Sequence, residues 1–137
     1  MSKIIDLRSD TVTLPSDEMR EAILSAKLGD DVFGEDLSVN ELEAKAAKIM
    51  GKEAGLLVPS GTMGNLVSIL THCARGTEII LGDKAHTFVF EAGGISAFGG
   101  VHSRQVKNQT DGTINLEEIK SAIRMDNDHF PKTSAIT

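Results

Sequence analysis

A chain of 137 residues that is 40% hydrophobic and 25% charged has the composition of a globular domain with a core of its own, and it is too short for two domains of ordinary size. A formal charge of -6 and a pI near 5.1 exclude the usual electrostatics of a nucleic-acid binder, which needs a concentrated basic face. A lone cysteine, Cys73, excludes an internal disulfide and a cysteine-rich zinc site, and it suits a reducing compartment, with the cytoplasm as the expected location.

The first residues, MSKIIDLRSD, meet charges early and offer no apolar stretch of the kind a secretory signal carries. No apolar run approaches the ~18 residues of a membrane span, so no membrane partner is expected. Ser16, after Pro15, is placed to cap a helix whose stripe is Met19, Ala22, Ile23 and Ala26, ending near Gly29. The polar loop GDDVFGED follows. Ser38 and Glu41 have the spacing of a capping box, and Leu42, Ala46 and Ile49 give a second helix its apolar face before Gly51 closes it.

AGLLV (54–58) has the length and composition of a buried strand, a turn follows it, and a third helix is predicted from about Thr62 to Ala74. EIIL (78–81) reads as a second buried strand. In HTFVFEAGG (86–94) a helix could begin, but glycine pairs at 93–94 and 99–100 break it. VHSRQVK (101–107) reads as a strand, Asp111-Gly112 as a turn, and Asn115 with Glu118 as a capping box for a helix bearing Leu116, Ile119, Ala122 and Ile123. SAIT (134–137) starts a further strand. Strands alternating with helices imply an α/β layer architecture with a parallel sheet, and the last strand's position suggests a fragment of a larger sheet.

Chemistry concentrates at LLVPSGTMGN (56–65), where small residues join an apolar run to a helix. N–H groups at a helix start lack intrahelical acceptors and carry partial positive charge, so Ser60, Gly61 and Thr62 could hold a phosphate. On spacing alone an ordinary cap is the commoner role for such residues. The stretch is neither a Walker loop nor a dinucleotide fingerprint.

VPSGTMGN, taken with IDLRSDTVT (5–13), GDDVFGED (29–36), GDKAHTFVFEAGG (82–94) and DHFP (128–131), resembles the low-specificity threonine aldolases. These are pyridoxal-phosphate lyases of the aspartate-aminotransferase fold, type I. The resemblance runs from about Ile5 to the last residues and implies that residues 1–137 are the N-terminal part of a cofactor-binding large domain with a mostly parallel sheet. It implies that Ser60, Gly61 and Thr62 hold the phosphate of pyridoxal 5'-phosphate, and that His86 stacks on the pyridine ring and helps handle the substrate hydroxyl proton. It also implies that Ser9 contacts the substrate carboxylate and that His129 lies near the substrate hydroxyl. His72 and His102 match no site of the family and are read as structural; Glu91, in the same stretch as His86, could influence local proton transfer but is read as a helix-surface carboxylate, and Asp6, Arg8 and Asp10 either shape the site or form surface ion pairs.

The implied reaction is retro-aldol cleavage of threonine or allo-threonine to glycine and acetaldehyde, in a homodimer-based tetramer. Histidine suits the proton transfer, with an unperturbed pKa of ~6.5. Phe33 stands where the family commonly has Tyr, Leu37 where it has Pro, and Asp128 where it has an apolar residue. The lysine that anchors the cofactor, the aspartate facing the pyridine nitrogen and the main carboxylate-binding arginine are expected farther along than residue 137, so the chain alone is expected to show little activity. Two alternatives stay open: another lyase or transaminase of the same fold, and a non-catalytic protein that binds a phosphate ligand or a partner chain.

Overall fold

The computed structural model describes residues 4–137; Lys3, one of the lysines that do not match the anchoring context, lies outside them. The chain divides between Leu57 and Val58 into two compact units.

In the first unit a 3-10 turn at Asp10–Val12 is capped by Ser9, whose hydroxyl accepts the Thr11 N–H at 3.2 Å. Helix α1 spans Asp17–Ser25, and Ser16 caps it as the sequence predicts, accepting the Met19 N–H at 3.3 Å. It ends at Ser25, short of Gly29. Helix α2 spans Leu37–Met50 and closes on Gly51, whose φ of 61° is a left-handed conformation that glycine adopts without steric cost.

The start of α2 corrects the sequence reading, because Asp36 and not Ser38 is the cap. Its carboxylate accepts the N–H groups of Ser38 and Val39 at 3.0 and 3.1 Å, and that of Gly29 at 3.2 Å. These bonds, led by those from Val39 and Gly29, hold the Asp36 carboxyl below the usual aspartate range. Ser38 turns its hydroxyl instead to the Lys27 carbonyl.

A second correction concerns 54–58, which forms no strand. An apolar run becomes a strand only where a neighbour completes its ladder. Here the Leu57 N–H is taken by the Glu43 side chain at 2.7 Å, and Leu56 and Leu57 stay exposed.

The second unit runs α3 (Gly61–His72), β1 (Glu78–Gly82), α4 (His86–Val89), α5 (Gly94–Ala97), β2 (His102–Val106), α6 (Leu116–Ala122) and β3 (Thr133–Ile136). Its three strands are all parallel in the order β2-β1-β3, with Glu78 opposite His102 and Thr133. The predicted elements at 78–81, 101–107 and 134–137 are all strands. The glycine pairs do break 86–100, into two short helices.

Parallel strands joined by helical crossovers are covered on both faces, and β1 is buried at all five positions. Ile79 and Leu81 pack with Ile69 and Cys73 of the α3 end and with Ile95 of α5, whereas Ile80 points to the other face and meets Val106 and Ala122 of α6. Burial pushes the Cys73 thiol above its ordinary value, which suppresses the nucleophilic thiolate. Asn115 caps α6 as predicted, accepting the N–H groups of Glu117 and Glu118.

At the N-terminal end of β1 the Glu78 carboxylate, fully buried, accepts two bonds from Arg124 Nε at 3.0 and 3.1 Å, with His102 Nε2 at 3.4 Å. Arg124 also lies over the Phe130 ring at 5.2 Å. The tie joins the loop before β3 to the central strand. Glu78→Ala, which leaves Arg124 uncompensated, is expected to cost on the order of 3 kcal/mol, read from urea unfolding. A loss under about 1 kcal/mol would show that the pair is screened like an exposed one.

Candidate functional site

In open parallel sheets, ligands bind beyond the carboxyl ends of the strands, and β1 ends there at Gly82. The chain turns through Asp83, Lys84 and Ala85, with the Ala85 N–H bonded to the Gly82 carbonyl at 3.0 Å. Asn108, just past β2, locks this turn: its N–H donates to Asp83 Oδ1 at 2.9 Å and its own Oδ1 accepts the Lys84 N–H at 2.9 Å. A Cβ at residue 82 would collide with the Asn108 carboxamide, so glycine is required there by close approach. The turn delivers His86 as the first residue of α4.

The His86 ring lies 5.4 Å from that of Phe90, tilted by 43°, and its side chain is 63% exposed. Its Nδ1 is 2.7 Å from Oε1 of Glu91, a carboxylate only 3% exposed. The same oxygen accepts a bond from Asn65 Nδ2 at 2.6 Å. Glu91 is therefore not a helix-surface carboxylate. The helix stops at Phe90, and Ala92 and Gly93 both adopt left-handed φ values, 52° and 67°, so the chain turns directly after Glu91.

Asn65 belongs to α3, one turn beyond Gly61, and residues four apart share a helix face. Ser60 caps α3 by accepting the Met63 N–H at 3.1 Å, and its carbonyl accepts the Gly64 N–H at 3.0 Å. The N–H groups of Gly61 and Thr62, in the first turn, have no intrahelical acceptor. A Cβ at Gly61 would meet no atom within 4 Å, so this corner is open. Helix α3 thus starts at Gly61, one residue earlier than the sequence suggests.

Asn65, Glu91 and His86 form one chain of hydrogen bonds, and Ser60, Gly61 and Thr62 start the helix that carries Asn65. His129 is not part of it. It sits exposed in the turn before β3, its N–H on Asn127 Oδ1, at the N-terminal edge of the sheet, whereas His86 follows the C-terminal end of β1. Ser9 belongs to the first unit, where its hydroxyl also lies 2.8 Å from that of Thr11. Asp6 and Arg8 form an exposed ion pair at 2.9 Å. His72 ends α3, and His102, on β2, approaches Glu78.

Asn65 goes unrecognised in the sequence, and Glu91 is weighed there but read as a helix-surface carboxylate. The signal for Glu91 was the Ala-Gly-Gly that follows it, a helix breaker that places the preceding residue at a turn rather than on a helix face.

The family model described as beta-eliminating lyase matches residues 6–137. The chain belongs to the beta-eliminating lyase family. Over 121 residues it is 60% identical to the protein named low-specificity L-threonine aldolase 1 of Arabidopsis thaliana, which covers 88% of this chain and 34% of that relative. It is 50% identical over 137 residues to a probable low-specificity L-threonine aldolase 2 of the same plant, covering 98% of the chain and 39% of the relative. It is also 37% identical over 136 residues to the protein named alanine racemase TOXG of Cochliobolus carbonum, covering 96% and 34%. This beta-eliminating lyase chain spans about a third to two fifths of the length of the curated relatives it matches. The parallel sheet with helices on both faces agrees with the type I fold that the resemblance implies.

Ala92 is an exposed non-glycine residue held in a left-handed conformation. Ala92→Gly is expected to stabilise the second unit by about 0.5–1 kcal/mol, seen as a raised urea midpoint with an unchanged slope. A lowered midpoint would contradict strain at this turn.

Proposed function

We propose that this chain carries the phosphate-holding and ring-facing part of a pyridoxal-phosphate-dependent threonine aldolase, which cleaves threonine or allo-threonine to glycine and acetaldehyde. The observation that carries the reading is the bonded connection from Asn65, one turn along α3 from its open start, through Glu91 to His86 beyond the end of β1. Two relatives named as threonine aldolases support it.

The residues present fit the cofactor's phosphate. The N–H groups of Gly61 and Thr62 are unpaired at the start of a 12-residue helix whose aligned dipoles favour an anion, and the Ser60 and Thr62 hydroxyls add donors. Capping and anion binding do not compete at Ser60, since its oxygen accepts the Met63 N–H while its proton is free to go to a phosphate oxygen. The residue after His86, Thr87, has a buried hydroxyl with no hydrogen-bond partner.

When bound, pyridoxal phosphate supplies an aromatic ring that accepts the electrons released as a Cα–Cβ bond breaks. His86 presents a largely exposed imidazole, the right group to lie against that ring and take the proton of a substrate β-hydroxyl. Ser9 is proposed to contact the substrate carboxylate. His129 enters on the resemblance alone, and its place at the other edge of the sheet gives it no step here.

Assembly of several copies belongs to the same proposal, supported by the exposed Leu14, Leu24 and Leu28 of the first unit. So does a cytoplasmic location. No helix among the described residues is long and apolar enough to cross a membrane, and the acidic charge disfavours nucleic acid.

The relative named as a racemase raises one competing reading. Protein isolated from its native source and supplied with pyridoxal phosphate is expected to release acetaldehyde from threonine or allo-threonine well above the free cofactor. His86→Ala is expected to lower kcat by about a hundredfold or more. Release no faster than with free cofactor, or interconversion of L- and D-alanine in its place, overturns the proposal.

A further inference from the structure

Burying a carboxylate is costly unless its partners compensate, and Glu91 has unusual ones. Neither contact is a fixed cation: Asn65 is neutral, and His86 is charged only when protonated. A carbon side chain of similar size would fill the space between α3 and α4 at less cost. The residue that follows, Ala92, is held at φ 52°, a conformation that costs a non-glycine residue energy. Both contacts of Glu91 converge on one oxygen, Oε1, shared by Asn65 and His86.

That oxygen decides where the His86 proton sits. An ionised carboxylate can only accept, and the Asn65 amide already donates to it, so His86 Nδ1 must carry a hydrogen. In neutral imidazole the other nitrogen is then an acceptor. We infer that Glu91, held by Asn65, is a positioning residue that keeps His86 in its Nδ1–H tautomer and so presents Nε2 as a bare acceptor to the substrate.

The inference rests on the aldolase reading and narrows it. An acceptor nitrogen is complementary to an O–H donor, which every β-hydroxy amino acid offers and alanine does not. In the proton step, the O–H bond breaks and the hydrogen moves to Nε2; the electron pair of that bond forms the carbonyl of the departing aldehyde as the Cα–Cβ bond breaks. The resulting imidazolium keeps its Nδ1–H on Glu91, whose negative charge balances it. Glu91 itself touches no reacting atom.

Free neutral histidine prefers its proton on Nε2, so the two states are distinguishable by long-range proton–nitrogen correlation on protein labelled with nitrogen-15 in histidine, with His86→Gln used to assign the signal. Wild-type protein, without cofactor and at a pH where the ring is neutral, is expected to show His86 as Nδ1–H. Glu91→Leu removes the acceptor that faces Nδ1, and the signal is expected to change to Nε2–H, the preference of the free side chain. In the same variant kcat for threonine cleavage should fall roughly tenfold to a hundredfold, with KM within about twofold. A wild-type Nε2–H signal overturns the inference, as does an unchanged tautomer with unchanged kcat in Glu91→Leu. The wild-type spectrum decides even if that variant fails to fold. If the tautomer is as inferred but threonine is not cleaved, the aldolase reading fails and Glu91 still positions His86; if threonine is cleaved with the proton on Nε2, only the role of Glu91 fails.

Discussion

Burial of β1 on both faces is the constraint from which the rest of the second unit follows. Five consecutive residues, Glu78 to Gly82, are out of solvent, so every group they carry must be matched by packing or a bond. Ile79 and Leu81 demand cover from α3 and α5, Ile80 demands it from α6, and the backbone is paired on both sides by β2 and β3. The two ends of the strand are then put to different uses. Glu78 anchors Arg124 and the loop ahead of β3, while Gly82 brings the chain so close to Asn108 that the following turn has little freedom. His86 inherits its position from that lack of freedom.

Local chemistry was legible in the sequence and distant chemistry was not. Ser16, Gly51 and Asn115 act within a few residues of themselves, and their hydrogen-bonding groups announce the role. Asp36 displaced Ser38 because both are competent caps only two residues apart, and the extra bond from Gly29 settles the competition. AGLLV has the composition of a strand, but composition does not provide a neighbour. Glu91 was misread for the same kind of reason: H-T-F-V-F-E looks like the solvent face of a helix, and its decisive partner Asn65 is twenty-six residues away.

The motif at residues 60–62 illustrates why a bland reading and a functional one can both hold. Ser60 is the N-cap of α3, as Ser residues before helices commonly are. Yet capping uses only the oxygen of its hydroxyl and leaves two N–H groups and an open corner on the face that continues to Asn65. An ordinary cap has no need of a second-turn asparagine bonded to a buried carboxylate. It is this continuation, rather than the Ser-Gly-Thr sequence, that supports the proposed ligand site over a plain helix start.

Titration of pyridoxal phosphate against protein from its native source, followed by cofactor absorbance and compared with pyridoxal that lacks the phosphate, tests the central claim most directly. The account predicts saturable binding of pyridoxal phosphate, at least about tenfold tighter than pyridoxal, and loss of that preference in the double variant Ser60→Ala, Thr62→Ala with its circular dichroism unchanged; a tenfold ratio is 1.4 kcal/mol. Equal affinity for the two compounds, or a phosphate preference that survives in a folded double variant, would contradict the placement of the phosphate at the start of α3.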